Sequence, residues 1–61
     1  MSFKKARESA GFTLAEAAEK IGVSFQAISL WETGKSMPSS ARLGKIAKAY
    51  NCTIDELLKE D

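Results

Sequence analysis

The sequence predicts an all-α chain, a compact bundle of five short helices. Three observations predict it. Apolar residues recur at helical spacing, as in Leu43, Ile46, Ala47 and Tyr50 (i, i+3, i+4, i+7), and no stretch alternates apolar and polar residues as a strand would. A serine or threonine stands at the head of each apolar stretch, where its side chain can cap a helix. Gly11, Gly22 and Gly34 stand where three of the stretches end, the usual place for a left-handed stop.

The first helix runs from about Ser2 to Ala10, with Ser2 as cap, Phe3, Ala6 and Ala10 on one face and Gly11 as stop. The second runs from about Leu14 to Ile21. Thr13 caps it and Glu16 follows three residues later, a capping box, while Phe12 is placed to staple to a residue one turn inside. Ala15, Ala17 and Ala18 are strong helix formers that let a neighbouring helix come close. The third runs from about Phe25 to Thr33 between Ser24 and Gly34. Ala27, Ile28 and Trp31 make its apolar face, leaving Phe25, Gln26, Ser29 and Leu30 largely off it. Lys35 to Pro38 reads as a loop. The fourth helix starts at Ser39 or Ser40 and ends near Tyr50, and Asn51-Cys52 is a break. Thr53 and Glu56 form a second capping box for a final short helix, with Ile54, Leu57 and Leu58 as its apolar side. The expected core is Phe3, Phe12, Ile21, Val23, Ile28, Trp31, Leu43, Ile46, Tyr50, Ile54 and Leu57.

Size and composition exclude much. The 61 residues form one domain, 1–61. A chain this short buries only about 60% of its unfolded surface, which leaves no room for a cofactor or small-molecule cavity. There is no histidine, so the commonest general base and metal ligand are missing, and the single cysteine, Cys52, has no histidine to activate it. The expectation is no enzyme, no metal and no cofactor. No apolar run approaches the roughly 18 residues of a membrane span, and the start lacks the apolar stretch of a secretion signal. A lone cysteine fits a reducing cytoplasm. Net charge is +1, but unevenly spread. Residues 55–61 carry four acids against Lys59, for −3, and the rest of the chain is +4. A mildly basic body favours phosphate, though a solvated mixed-charge surface accounts for these numbers equally well.

The informative unit is residues 13–33, two short helices joined by Gly22-Val23-Ser24. Glycine permits the positive φ that ends the first, Val23 plugs the angle between them, and Ser24 opens the next. That is a helix-turn-helix, whose second helix can lie in the major groove of DNA.

In these residues the sequence resembles the Cro/C1-type phage repressor family, also called the Xre family. The resemblance is carried by Arg7, Gly11, Phe12-Thr13-Leu14, Ala18-Glu19, Ile21-Gly22-Val23-Ser24, Ala27-Ile28-Ser29, Trp31-Glu32, Gly34-Lys35, Pro38, Leu43, Ile46-Ala47 and Ile54-Asp55-Glu56-Leu57. It implies a lambda-repressor-like five-helix bundle that binds double-stranded operator DNA, commonly as a homodimer on a two-fold symmetric site. It also implies Ser24 to Glu32 as recognition helix and a partly buried structural ion pair between Arg7 and Glu32.

Roles follow for single residues. Gln26 is the leading base reader, because a glutamine amide can pair with adenine N6 and N7. Phe25 and Leu30 are candidates for thymine methyls, and Ser29 for a base or a phosphate. Thr13, Leu14 (through its backbone amide), Ser24, Lys35, Ser36 and Arg42 are the candidate phosphate contacts. Lys4, Lys5, Lys45 and Lys48 read as solvated charges. Leu58 and the face around Tyr50 to Ile54 are candidate dimer contacts. The functional expectation is a transcriptional regulator, of the repressor kind, in a bacterial or phage-related cytoplasm. The alternative is a protein-interaction module or an antitoxin that keeps the fold with weak or no DNA binding of its own, motivated by the apolar Leu14 and Leu30.

Overall fold

Side-chain capping sets where each element begins. The structure is a computed structural model that describes residues 2–59. It contains α1 (Phe3–Ser9), α2 (Leu14–Ile21), α3 (Phe25–Thr33), α4 (Ser40–Ala49) and α5 (Ile54–Leu58), with no strand among the described residues. Ser2, Thr13, Ser24, Ser39 and Thr53 each accept, through the side-chain hydroxyl, the backbone N–H three residues on. Both expected capping boxes are formed. The Glu16 carboxylate accepts the Thr13 N–H at 2.9 Å and Glu56 accepts the Thr53 N–H at 3.0 Å. Ala10 and Tyr50 serve as C-caps, so α1 and α4 stop one residue short of the expected ends.

Gly22 ends α2 at φ 86° and ψ 36°, a left-handed conformation that costs a residue with a Cβ about 1–2 kcal/mol. Asn51 does the equivalent work between α4 and α5 at φ 56°, since asparagine is one of the few other residues that tolerate it.

α2 packs against α3 and α4, α1 against α3 and α5, and α4 against α5. The buried core is Ala6, Ala17, Ala18, Ile21, Ile28, Trp31, Ile46, Ala47, Tyr50 and Leu57. Four of these ten are alanines, and helices sharing small residues can approach closely, so a short chain closes a core with few large side chains. Phe3 lies against Trp31 (ring centroids 6.5 Å) and Phe12 against Tyr50 (6.3 Å). Phe12 thus ties the start of α2 to the end of α4, a longer-range role than a staple within its own helix.

Five expected core residues fall outside the buried set. Phe3, Phe12 and Val23 are half-buried and packed against it, Leu43 is half-buried, and Ile54 is 39% exposed. At about 100° per residue, Ile54 lies between Leu57 and Leu58 around α5, and a helix this short meets the bundle along one edge. Leu57 takes that edge and is 2% exposed, leaving Ile54 and Leu58 outside. Conversely, Pro38, read as loop, is buried.

Candidate nucleic-acid interface

α3 is fixed from behind and open in front. Ala27, Ile28, Trp31 and Glu32 face inward, with Ile28 and Trp31 in the core. Phe25, Gln26, Ser29, Leu30 and Thr33 occupy the opposite arc, about 140° wide at about 100° per residue. The structure therefore brings the four residues read as base contacts onto one surface. Gln26 is exposed, Phe25 and Leu30 are 53% and 42% exposed, and Ser29 is half-buried. Thr33 shares this arc and escaped the sequence reading. Its hydroxyl donates to the Ser29 and Leu30 carbonyls at 3.0 and 3.3 Å, so its hydrogen is committed to the helix.

Arg7 locks the angle of α3. Its Nε donates to Glu32 Oε2 at 2.6 Å and its Nη2 to Oε1 at 3.2 Å, a bidentate pair between α1 and α3. Its Nη1 donates to the Phe12 carbonyl at 2.9 Å, adding the start of α2 to the same node. Both side chains are 10% exposed. The Glu32 hydrogen bond pushes the Arg7 guanidinium above its ordinary value, against the opposing effect of burial. The Phe12 bond could not be read from sequence, since backbone acceptors carry no residue signal.

The candidate phosphate contacts lie at helix N-termini and in the loop after α3. Thr13, Ser24, Lys35 and Ser36 are exposed and Arg42 half-buried. The hydroxyls of Thr13 and Ser24 are engaged in capping, at 3.1 and 3.3 Å from the N–H groups of Glu16 and Ala27. What each helix offers an anion is therefore its first-turn amides, which have no partner within the helix. Neither α3 nor α4 carries an acid in its first turn. The α2 terminus differs, because Glu16 sits on it. The Leu14 side chain is half-buried and packs against the core, so the apolar residue there has a structural use. The amides of Lys35 and Ser36 both donate back to the Leu30 carbonyl, folding the loop against the end of α3.

Burial pushes the Cys52 thiol up, away from the thiolate a nucleophile needs. No helix among the described residues is long and apolar enough to cross a membrane.

A bundle with an exposed second helix after a glycine turn defines the class of helix-turn-helix DNA-binding domains. The family model described as Helix-turn-helix matches residues 3–57. The chain belongs to this family, in the Cro/C1-type form that its sequence resembles, and the family is one of DNA-binding regulators rather than enzymes. It is 44% identical over 52 residues to the HTH-type transcriptional activator BcrR of Enterococcus faecalis, covering 85% of this chain and 26% of that protein. It is 38% identical over 58 residues to the HTH-type transcriptional regulator ImmR of Bacillus subtilis (95% and 46%). It is 37% identical over 51 residues to the cryptic phage CTXphi transcriptional repressor RstR of Vibrio cholerae (84% and 46%). The chain spans less than half the length of each of these relatives. No solved structure matches it significantly.

Proposed function

We propose that this chain binds double-stranded DNA in a sequence-specific way and regulates transcription in a bacterial or phage-related cytoplasm. The observation that carries the reading is the exposed arc of α3, held at a fixed angle by Ile28, Trp31 and the Arg7–Glu32 pair. In this reading α3 enters the major groove. Gln26 reads an adenine, Phe25 and Leu30 meet thymine methyls, and Ser29 bonds a base or a phosphate. The α3 and α4 amides with Lys35, Ser36 and Arg42 take the flanking phosphates, helped by Thr13 and the Leu14 amide. Two copies on a two-fold symmetric site present two such helices. The relatives carry the names activator and repressor alike, so the direction of control follows from operator position rather than from this fold.

The test is selection of bound sequences from a random duplex pool, followed by titration of the selected duplex with Gln26→Ala. The variant is expected to lose about 1–3 kcal/mol on the selected site and far less on random DNA. An equal loss on both makes Gln26 a positioning residue. Failure to bind any duplex at low salt rejects the reading in favour of a protein-interaction module.

A further inference from the structure

Two side chains on the outward arc of α3, Phe25 and Leu30, are large, apolar and exposed. Neither belongs to the core, and the Phe25 ring meets no other ring among the described residues. Their places on the arc are specific. At about 100° per residue, Phe25 stands at one edge and Leu30 at the other, with Ser29, Thr33 and Gln26 in order between them. Along the helix axis they are about 7.5 Å apart at 1.5 Å per residue, which is about two base-pair steps of 3.4 Å.

The polar stripe between them offers little hydrogen bonding. The Thr33 hydroxyl hydrogen is committed to the Ser29 and Leu30 carbonyls. Ser29 is half-buried, and Gln26 is left as the long, exposed polar side chain of the arc. Hydrogen-bond readout is thus concentrated at Gln26, and the two edges can read only what an apolar side chain reads. In the major groove that is the C5 edge of a pyrimidine, where thymine carries a methyl and cytosine a hydrogen. A helix about 10–12 Å across fills a groove about 12 Å wide, so its two edges face opposite strands.

We infer that Phe25 and Leu30 make the chain a reader of pyrimidine C5 methyl groups, one on each strand and about two base pairs apart. The class of base recognised at these positions is then the C5-methylated pyrimidine, thymine or 5-methylcytosine, and not thymine alone. A site with cytosine at either position is bound more tightly once that cytosine is methylated, which places binding under the control of DNA methylation. This rests on the DNA reading above and specifies its ligand.

The test uses the duplex selected from the random pool, with each thymine replaced singly by deoxyuridine, which removes the methyl and leaves the base pair intact. Two replacements per bound copy, on opposite strands and about two base pairs apart, should each weaken binding about fourfold, the ratio that about 0.8 kcal/mol per buried methylene-sized group gives. At the same two positions, 5-methylcytosine should bind about fourfold more tightly than cytosine. Phe25→Ala should abolish the methyl effect at one position and Leu30→Ala at the other, while Gln26→Ala leaves both ratios unchanged. The parent series needs no variant. It overturns the inference by itself if every thymine can be replaced without loss, or if methylated and unmethylated cytosine bind alike. Methyl effects that persist in both alanine variants also overturn it, because the methyls then act through DNA shape or another residue. Binding that ignores the methyls leaves the DNA reading standing and removes this inference alone, whereas absence of binding to any duplex at low salt removes both.

Discussion

Single residues divide into those that hold the recognition surface and those that present it. Arg7 and Glu32 hold it. Removing one partner leaves a charge at a 10% exposed site, and Arg7→Met is expected to cost about 3–5 kcal/mol in urea unfolding. Arg7→Met/Glu32→Leu should cost much less than the sum of the single changes, because no charge is left unpaired. If the double variant is as unstable as that sum, the pair is not coupled. The pair's residues were legible in the sequence through resemblance, but the Arg7 bond to the Phe12 carbonyl was not, since only the folded chain brings that carbonyl near. Tyr50 makes a separate prediction. Burial pushes its phenol up from 10.0 to about 12, with the Glu32 charge adding and Arg7 opposing. Unfolded chains release this proton near pH 10 and folded chains near pH 12. The contribution is therefore intact below pH 10 and is lost as pH rises through that window, by about 2–3 kcal/mol. Tyr50→Phe keeps the ring against Phe12 and removes the effect. Between about pH 9 and pH 12, the parent should lose about that much more stability than the variant.

At the scale of elements, caps and stops were the legible part, because they depend on residues three or four apart. The N-caps Ser2, Thr13, Ser24 and Thr53 are the expected ones, the start of α4, left open between Ser39 and Ser40, resolves with Ser39 as cap, and Gly22 and Gly34 close α2 and α3. A Cβ at Gly22 would touch nothing within 4 Å, so Gly22→Ala isolates the backbone cost. It should destabilise by about 1–2 kcal/mol, and Gly22→Asn by less. Equal losses would point to a steric cause that the open space does not offer. Burial within α5 was less legible. Ile54, Leu57 and Leu58 look alike in sequence, and which one faces inward is decided by the angle at which α4 delivers the chain through Asn51. Leu57→Ala is expected to cost about 2–5 kcal/mol and Ile54→Ala under about 1 kcal/mol by thermal unfolding. The same geometry turns Ile54 and Leu58 outward.

Over the whole molecule, a net charge of +1 conceals a division of labour. The acids gather on α5 and in the residues after it, of which Glu60 and Asp61 lie outside the described residues. Of the cations, Lys35 and Arg42 lie in and after the loop between α3 and α4, Lys20, Lys45 and Lys48 line a groove between α2 and α4, and Lys4, Lys5 and Arg7 lie on α1. This separation could not be read from composition, because it depends on which helix ends the fold turns toward the same side. It also sets the strength of the DNA contact. In the proposed reading Lys35 and Arg42 meet phosphates, which makes two cations per copy and four for two copies on one site. Neutralising four phosphates gives log affinity a slope near −3.6 against log salt, at about −0.9 per phosphate. Lys35→Ala should reduce this slope by about 2 per dimer and weaken selected and random duplexes alike, because a phosphate contact carries no sequence information. Gln26→Ala should leave the slope unchanged while lowering preference for the selected site. The two variants together separate positioning from reading. A parent slope near −7 would require about four further cations per two bound copies on the phosphates, and Lys20, Lys45 and Lys48 would be the source.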